Sequence, residues 1–204
     1  MAKVKLTKNE LKRQKENLKR FYRYLPTLEL KKKQLLQVIH RIIREIEKIK
    51  EDINTLHNQV KQWVDVFAQD IDIEEFIQIE EIKEEEDNVA GIDIPVFEDV
   101  IFKDIDYDLF STPFWIDQGI QVCQVQIKRN IEIEILNRQR EILQDELRIT
   151  IQRIKLFEEI KIPDAEENIR KIRIFLGDQQ TAEVVRGKIA KSKIEQKKQQ
   201  TEVI

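Results

Sequence analysis

A row of apolar residues recurs along the first third of the chain at alternating steps of three and four. The row begins at Leu18 and ends at Phe67, and Lys32 is the one polar residue among its fifteen positions. This period of 3.5 residues, kept over seven heptads, is typical of a helix that packs against another helix as a coiled coil. We therefore predict one long helix that protrudes as a rod, about 75 Å from the first position to the last. The apolar positions, called the seam below, are Leu18, Phe21, Leu25, Leu28, Leu35, Ile39, Ile42, Ile46, Ile49, Ile53, Leu56, Val60, Trp63 and Phe67.

Two local signals describe the start of this helix. Thr7 stands just before the helical pattern and Glu10 three residues later, which is the spacing of a helix-capping box. Pro26 lies inside the pattern. Because proline removes one backbone hydrogen bond, we predict a kink at that point.

The segment from 70 to 119 has a different pattern. "FIQIEEI" at 76–82 and "VAGIDIPVF" at 89–97 alternate apolar residues with polar or acidic ones, which is typical of short strands. "KEEEDN" at 83–88 separates them and is interpreted as a polar turn. The segment is therefore predicted to contain a β-hairpin followed by a loop.

The helical pattern returns at about Ile120 and fades beyond Gly177. Pro163 interrupts it, and Asp164 and Glu166 suit the first turn of a restarted helix, because acidic side chains favour helix N-termini. Two neighbouring apolar rows predict a wide buried face. One row holds Leu136, Leu143, Leu147, Ile154 and Phe157, the other holds Ile135, Ile142, Ile149 and Leu156, and the stripe continues at Ile169, Ile172 and Leu176.

These patterns predict a mainly α fold. The N- and C-terminal segments form a long antiparallel two-helix coiled coil, with a short β-hairpin in the middle region. The predicted parts are 1–69 (the first helix), 70–119 (the acidic hairpin and loop) and 120–204 (the second, interrupted helix with a basic tail). We favour pairing within one chain, because both helices carry stripes that would otherwise be bare, and we expect Leu18 to lie near Ile189. A parallel homodimer through the same seam is the alternative.

Charge is segregated along the chain. Residues 1–69 hold 17 Lys and Arg against 8 Asp and Glu, residues 70–108 hold 2 against 16, and residues 109–204 hold 17 against 15. The acidic middle would repel phosphate groups and the basic N-terminal residues are spread around their helix, so nucleic acid is not a predicted partner. The chain has only four Gly and four Pro, which again favours long helices over many turns.

No pattern in the sequence predicts catalysis, a cofactor or a metal site. Four scattered Gly cannot build a phosphate-binding loop. His40 and His57 have no His or Cys at metal-ligand spacing, and the single Cys123 is interpreted as an inert thiol. No apolar run reaches the ~18 residues that a membrane-spanning helix needs, so we expect no direct insertion into a membrane.

Three stretches together resemble one family, the D subunit of V/A-type rotary ATPases. "KENLKRFYRYLPTLELKKKQLL" at 15–36, "NVAGIDIP" at 88–95 and "QRIKLFEEIKIPDAEENIRKI" at 152–172 are similar to its N-terminal helix, its loop-and-strand element and its C-terminal helix, in that order. The positions that match the C-terminal signature are Arg153, Glu158, Ile162, Pro163, Ile169 and Ile172. The positions that depart from the family's commoner residues are Pro26, Lys155, Leu156 and Phe157, which suggests a divergent bacterial branch.

The resemblance implies the central stalk of a rotary ATPase, a non-catalytic rotor shaft similar in role to the gamma subunit of F-type enzymes. It implies torque transmission between a catalytic A/B hexamer and the ion-translocating membrane ring, in the cytoplasm and peripheral to the membrane. The implied partners are that hexamer, the small rotor protein known as the F subunit, and a socket subunit. Candidates for contact with the hexamer bore are Lys3, Lys5, Lys8, Lys12, Arg13, Lys188, Lys191 and Lys193. Candidates for contact with a partner subunit are Val89, Ile92, Ile94, Val96, Lys61 and Ile131.

Two other classes of protein share the helical pattern. A prefoldin-like chaperone also joins helices through β-hairpins, but its tips should expose apolar residues for client proteins, whereas the ends of this chain are heavily charged. A homodimeric coiled-coil scaffold is the second alternative. The shaft hypothesis fits best with a long helical pair, a dry seam and few Gly residues.

Overall fold

The computed structural model describes residues 4–61, 73–105 and 115–201. The predicted positions Lys3, Trp63 and Phe67 lie outside these ranges. The fold is mainly α, with an antiparallel helical pair and a two-stranded hairpin between the helices, as predicted. In chain order the elements are α1 (Lys8–Val60), a 3₁₀ helix (Ile73–Phe76), β1 (Ile79–Val89), β2 (Ile92–Phe102), α2 (Ile116–Lys155), a π-helical turn (Leu156–Lys161) and α3 (Ile162–Thr201).

Helix α1 begins with one half of the predicted capping box, because the N–H of Thr7 donates to the Lys5 carbonyl at 3.0 Å and not to the Glu10 side chain. The backbone N–H of Glu10 donates a hydrogen bond to Thr7 Oγ1 at 3.3 Å, and the N–H of Leu11 donates to the Thr7 carbonyl at 3.0 Å. The helix then continues through Pro26 to its end without a break. The proline therefore removes one backbone bond but does not end the helix.

The chain divides into two compact units. Unit 1 contains residues 1–29 and 151–204, and unit 2 contains residues 30–150. Each unit pairs one part of α1 with a later helical segment of the same chain, so the pairing within one chain applies in both.

Unit 2 is built around the central part of the seam. This row packs against Leu136 and Leu143 of α2 and against Ile94 of β2. The five most deeply buried α1 residues, each at most 5% exposed, are Leu35, Ile39, Ile42, Ile46 and Ile49. Ile53, Leu56 and Val60, further along the seam, are half-buried.

The helices of unit 2 are antiparallel. Lys31 Nζ of α1 donates to Glu146 Oε1 of α2 at 2.9 Å, and both side chains are partly buried. Further along α1, Val38 and Arg41 share a groove with Glu132 of α2. Positions that increase along α1 therefore meet positions that decrease along α2.

Unit 1 is also antiparallel, but its register differs from the predicted one. The ring of Phe21 lies 5.3 Å from the ring of Phe157, between centroids, and Leu18 borders the same groove as Ile169 and Ile174. Ile189 lies fifteen residues beyond Ile174, about 22 Å further along α3. The expectation that Leu18 lies near Ile189 is therefore wrong, because seam spacing fixes the face of a helix but not the point at which the chain turns back.

The hairpin turn is shorter than the sequence suggests. β1 and β2 are antiparallel with Val89 opposite Ile92, so Ala90 and Gly91 alone form the turn. Both have positive φ, 53° and 81°, as in the type I′ turn whose twist matches that of the two strands. The N–H of Gly91 also donates to Asn88 Oδ1 at 3.0 Å.

The interpretation of residues 83–88 as a turn is wrong. They belong to strand β1, where every one of them is exposed. Acidic residues have low β-propensity, but how well a residue fits in a strand depends on the neighbouring strand and on whether its side chain faces water. Here the partner β2 supplies the buried side chains Ile94 and Val100. The charged residues of β1 therefore need only pair with β2 through their backbone and expose their side chains to water.

The buried row changes phase by one residue across the π-helical turn. From Ile154, a 3.5-residue period would next bury positions 157, 161, 164, 168 and 171. Phe157 is half-buried, but the buried positions that follow are Ile162, Ala165, Ile169 and Ile172, each one residue late. The Ile162 N–H bonds to the Phe157 carbonyl five residues earlier, so the wider turn absorbs one residue and returns the apolar stripe to the buried face.

Candidate functional site

The hairpin presents an acidic surface on strand β1. Every residue from 79 to 88 is exposed, including the apolar Ile79 and Ile82, which are 46% and 42% exposed. Among the described residues the sheet has two strands, so the outer edge of β1 pairs with no described strand. The acidic residues of this surface, called the acidic face below, are Glu80, Glu81, Glu84, Glu85, Glu86 and Asp87.

Side chains of α2 hold the hairpin in place. Arg138 Nη1 donates to both carboxylate oxygens of Glu84 at 3.2 Å, which ties β1 to the helix. The buried Gln139, 6% exposed, donates from Nε2 to the Pro95 carbonyl of β2 at 2.5 Å. The hairpin is therefore fixed along α2 by polar contacts as well as by the Ile94 side chain.

A third polar contact lies closer to the strand end. Lys128 Nζ of α2 donates to Asp99 Oδ1 of β2 at 2.6 Å and lies 5.9 Å from the centre of the Phe102 ring. The hydrogen bond from Lys128 lowers the pKa of the Asp99 carboxyl, helped by a backbone hydrogen bond at Val100. Sequence reasoning missed Lys128, Arg138 and Gln139, since each meets a partner dozens of residues away in the chain.

The predicted partner-contact residues of the hairpin lie mostly on its inner side. Ile94 is 4% exposed and belongs to the core of unit 2, so its side chain offers no surface to another subunit. Val89 and Ile92 are half-buried against the same core. Val96 is half-buried and lines a groove with Arg41. Most of the exposed residues of the hairpin therefore lie on β1, whereas Asp93, Glu98 and Asp99 are the exposed residues of β2.

The two predicted contact residues outside the hairpin lie in different positions. Lys61 is exposed immediately after α1, where its N–H donates to the His57 carbonyl at 3.0 Å. Ile131 is half-buried on α2. Of the two, Lys61 offers the freer side chain.

The basic candidates form two separate groups in unit 1. Lys5 and Arg13 line a groove with Asp164 and Lys171 of α3, whereas the second group starts at Lys188, about 26 Å further along α3. The structure does not bring these groups together. Every described member is exposed: Lys5, Lys8, Lys12 and Arg13 in the first group, and Lys188, Lys191 and Lys193 in the second.

Helix α3 carries an apolar surface that the sequence analysis did not assign. The helix continues through Gly177 and Gly187 to Thr201, although the seam pattern fades after Gly177. The apolar residues on this part of the helix project into solvent rather than onto a described neighbour. They are Val184, Val185, Ile189 and Ile194, exposed by 59%, 49%, 52% and 58%. The sequence signal for this surface is that apolar residues continue to recur every four or five positions among Lys and Gln.

The side chains considered for catalysis or metal binding are Cys123, His40 and His57. Burial raises the pKa of the Cys123 thiol, which lowers the fraction of reactive thiolate. His40 and His57 are exposed. Within residues 4–61, 73–105 and 115–201, no three His, Cys, Asp or Glu side chains come close enough to hold a metal ion. None of the described helices is long and apolar enough to cross a membrane.

The described residues therefore define a class of protein: an antiparallel helical pair with a docked hairpin, whose distinctive surfaces suit protein partners. The family model for the D subunit of ATP synthase matches residues 10–192, and this chain belongs to that family. The D subunit of the V-type ATP synthase from Borreliella burgdorferi is 46% identical over 194 residues, covering 95% of this chain and 96% of the relative. The corresponding V-type ATP synthase proteins of Chlamydia abortus and Chlamydia caviae are 31% and 30% identical over 204 residues, covering 98% of each chain.

Proposed function

We propose that this chain is the central rotor shaft of a V-type rotary ATPase, a non-catalytic subunit that transmits torque between the ATP-hydrolysing or ATP-synthesising hexamer and the ion-translocating ring of the membrane. The observation that carries the proposal is the family match over residues 10–192, which includes most of α1, the hairpin, α2 and most of α3. The proposed location is cytoplasmic, peripheral to the membrane within the assembled complex.

The antiparallel pair suits the transmission of torque. Two helices joined along an apolar seam resist bending and twisting better than one helix does. The seam of unit 2 is closely packed, since Leu35 and Leu143 are fully buried. Charged residues lie between the exposed apolar residues of distal α3, so the shaft can pass successive faces of a bearing without one continuous apolar contact.

The distal part of α3 is the proposed contact with the catalytic A/B hexamer. Val184, Val185 and Ile189 are about half exposed and alternate with Arg186, Lys188 and Lys191. Exposed charge contacts of this kind contribute about 1 kcal/mol or less each, so the shaft could meet three successive positions in the bore without being trapped. Lys3, Lys5, Lys8, Lys12, Arg13 and Lys193 complete the proposed set of basic contacts.

The hairpin and the neighbouring helix ends are the proposed contact with the small rotor F subunit and with the socket subunit. The open edge of β1 can accept hydrogen bonds from a partner backbone or pack against it. Val89, Ile92 and Val96 support that edge from the inner side, and Lys61 lies at the end of α1.

A reversible crosslink tests whether the chain rotates within the hexamer. In a Cys123→Ser background, Lys191→Cys would be joined by a disulfide to a cysteine placed in the hexamer bore. We expect ATP hydrolysis by the complex to stop on oxidation and to return on reduction, because a fixed shaft cannot turn.

The matched control joins the chain to a protein that should rotate with it. A disulfide between Lys61→Cys and the F subunit should leave ATP hydrolysis unchanged. Undiminished hydrolysis in the hexamer-crosslinked complex, with the crosslink shown to be complete, would exclude a rotating shaft.

A further inference from the structure

The π-helical turn is a loosely packed part of the helical pair in unit 1. None of its six residues is buried, and Leu156 and Ile160 are 41% and 50% exposed. Directly beyond it stands Pro163, which has no N–H to donate to the preceding turn. Segments with few buried contacts and incomplete backbone bonding are the ones that open most readily.

Helix α1 carries its own backbone defect at the same level. Phe21 contacts Phe157 of the π-helical turn, with ring centroids 5.3 Å apart and ring planes at 31°. Pro26 follows one helical turn later and, having no N–H, leaves the Tyr22 carbonyl without its helical donor. The two defects therefore lie within about one turn of each other, one on each side of the pair.

Two side-chain contacts connect the helices across this level. One is the pair of Phe21 and Phe157. The other is a hydrogen bond from the Tyr22 hydroxyl to Glu166 Oε1 at 3.0 Å, between exposed groups. These side-chain contacts can therefore hold the two helices together while backbone hydrogen bonds at this level open.

We propose that the π-helical turn and the Tyr22–Pro26 segment of α1 form a compliant joint in unit 1, where the helical pair twists and opens more easily than beside residues 165–172 of α3. The sequence maintains this joint through the phase of its apolar stripe. A regular α-helix through this region would bury Lys161, Asp164 and Asn168 in place of Ile162, Ala165 and Ile169, so the wide turn cannot relax without loss of packing. The use of the joint to store or release twist under torque rests on the proposed function, whereas its existence does not.

Amide hydrogen exchange of the isolated full-length chain tests the joint independently of rotation. We expect amides at 157–162 and 22–25 to exchange about tenfold faster than amides at 165–172 of α3, because local opening costs less free energy there. Equal protection in the turn and in α3 would overturn the proposal.

A second variant tests the role of the extra residue. Deleting Glu159 together with Pro163→Ala leaves a continuous helix in which the stripe before and after the turn is in phase. We expect this variant to stay folded, by circular dichroism, and its exchange at the former turn to fall to the rate of α3.

The matched control deletes the exposed Arg170, which lies within regular α-helix. That deletion puts Ile172 out of phase, so we expect faster exchange and lower thermal stability. If the Glu159 deletion destabilises the chain as much as the Arg170 deletion does, the phase argument is wrong. The wild-type exchange pattern decides the existence of the joint in either case.

Discussion

At the scale of single residues, the seam is the part of the protein most sensitive to substitution. Ile46 is 4% exposed, in the middle of an equally buried row. Ile46→Asp removes an aliphatic side chain and puts a carboxylate where water is excluded. We expect the free energy of unfolding to fall by about 4 kcal/mol or more, measured by urea unfolding of the isolated chain.

The control for this substitution is Gln37→Asp on the exposed side of α1. It changes the net charge by the same amount, and we expect an effect within about 0.5 kcal/mol. Similar unfolding midpoints for the two variants would show that the seam does not carry the packing of unit 2.

A second residue-scale prediction concerns the acid titration of Asp99. Its pKa is lowered chiefly by the Lys128 hydrogen bond, with Lys83 a smaller cause. A lowered folded-state pKa means that the stabilisation is present above the unfolded-state pKa and is lost as pH falls through the folded one. We expect Lys128→Met to raise the pKa of Asp99 more than Lys83→Met does, measured by carboxyl-carbon NMR. An unchanged Asp99 titration in Lys128→Met would contradict the assignment.

The buried face of α1 can be predicted from the sequence alone, whereas the polar contacts of the hairpin cannot. The buried face of α1 follows from helical period, so Leu35, Ile39 and Ile42 can be assigned from spacing. The contact of Arg138 with Glu84 spans 54 residues, and its register depends on how the hairpin docks. No periodicity encodes that docking, so the polar contacts of the hairpin appear only in the structure.

At the scale of elements, two glycines should respond to alanine in opposite directions. Gly91 has φ +81° in the hairpin turn, and nothing lies within 4 Å of an added Cβ. Gly91→Ala should therefore destabilise the hairpin by about 1 kcal/mol through backbone strain alone. Gly177 lies inside α3 with equally open space, so Gly177→Ala should favour the helix by about 0.8 kcal/mol.

The two alanine variants are compared by thermal unfolding and by amide exchange at the two sites. Loss of stability in both variants would show that Gly177 has a contact or conformation other than regular helix. A neutral Gly91→Ala would show that the turn is not of type I′.

Element types were more predictable than element boundaries. The long helices follow from sustained periodicity, and the hairpin from alternation on β2. The sequence pattern misplaces the turn because the six residues from Lys83 to Asn88 are all polar, whereas Ala90 and Gly91 fall within the alternating stretch at 89–97. The π-helical turn has a visible signal, since Ile169 lies twelve positions after Phe157, whereas a 3.5-residue period predicts an apolar residue at position 168.

At the scale of the whole molecule, the sequence predicted the fold class and the family. The relative register of the helices was not predictable from the seam. In the structure, the distal part of α3 extends past the residues that pair with α1 in unit 1. That part carries exposed Val184, Val185 and Ile189 together with the second basic group, which makes it the stronger candidate for hexamer contact.

If distal α3 contacts the hexamer, its removal should reduce function only in part. Truncation after Gly187 removes Ile189 and the second basic group but keeps the residues that pair with α1. We expect weaker affinity for the hexamer and reduced, not abolished, ion pumping, because each lost contact is small. Substituting Lys188, Lys191 and Lys193 by Gln should reproduce part of the loss, whereas substituting Glu85 and Glu86 of the acidic face by Gln should not change hexamer affinity. Equal effects of both sets would argue against α3 as the contact.

The coupling of ATP hydrolysis to ion movement by this chain is tested most directly by ion pumping in reconstituted complexes, with ATP hydrolysis recorded in parallel. The decisive complex carries a chain that ends at Pro163, compared with the full-length chain and with the chain that ends at Gly187. Mass spectrometry of each complex first establishes that the same proteins are present. We expect hydrolysis without pumping for the chain ending at Pro163, since one helix of the pair in unit 1 is lost. Full coupled pumping without residues 164–204 would contradict it.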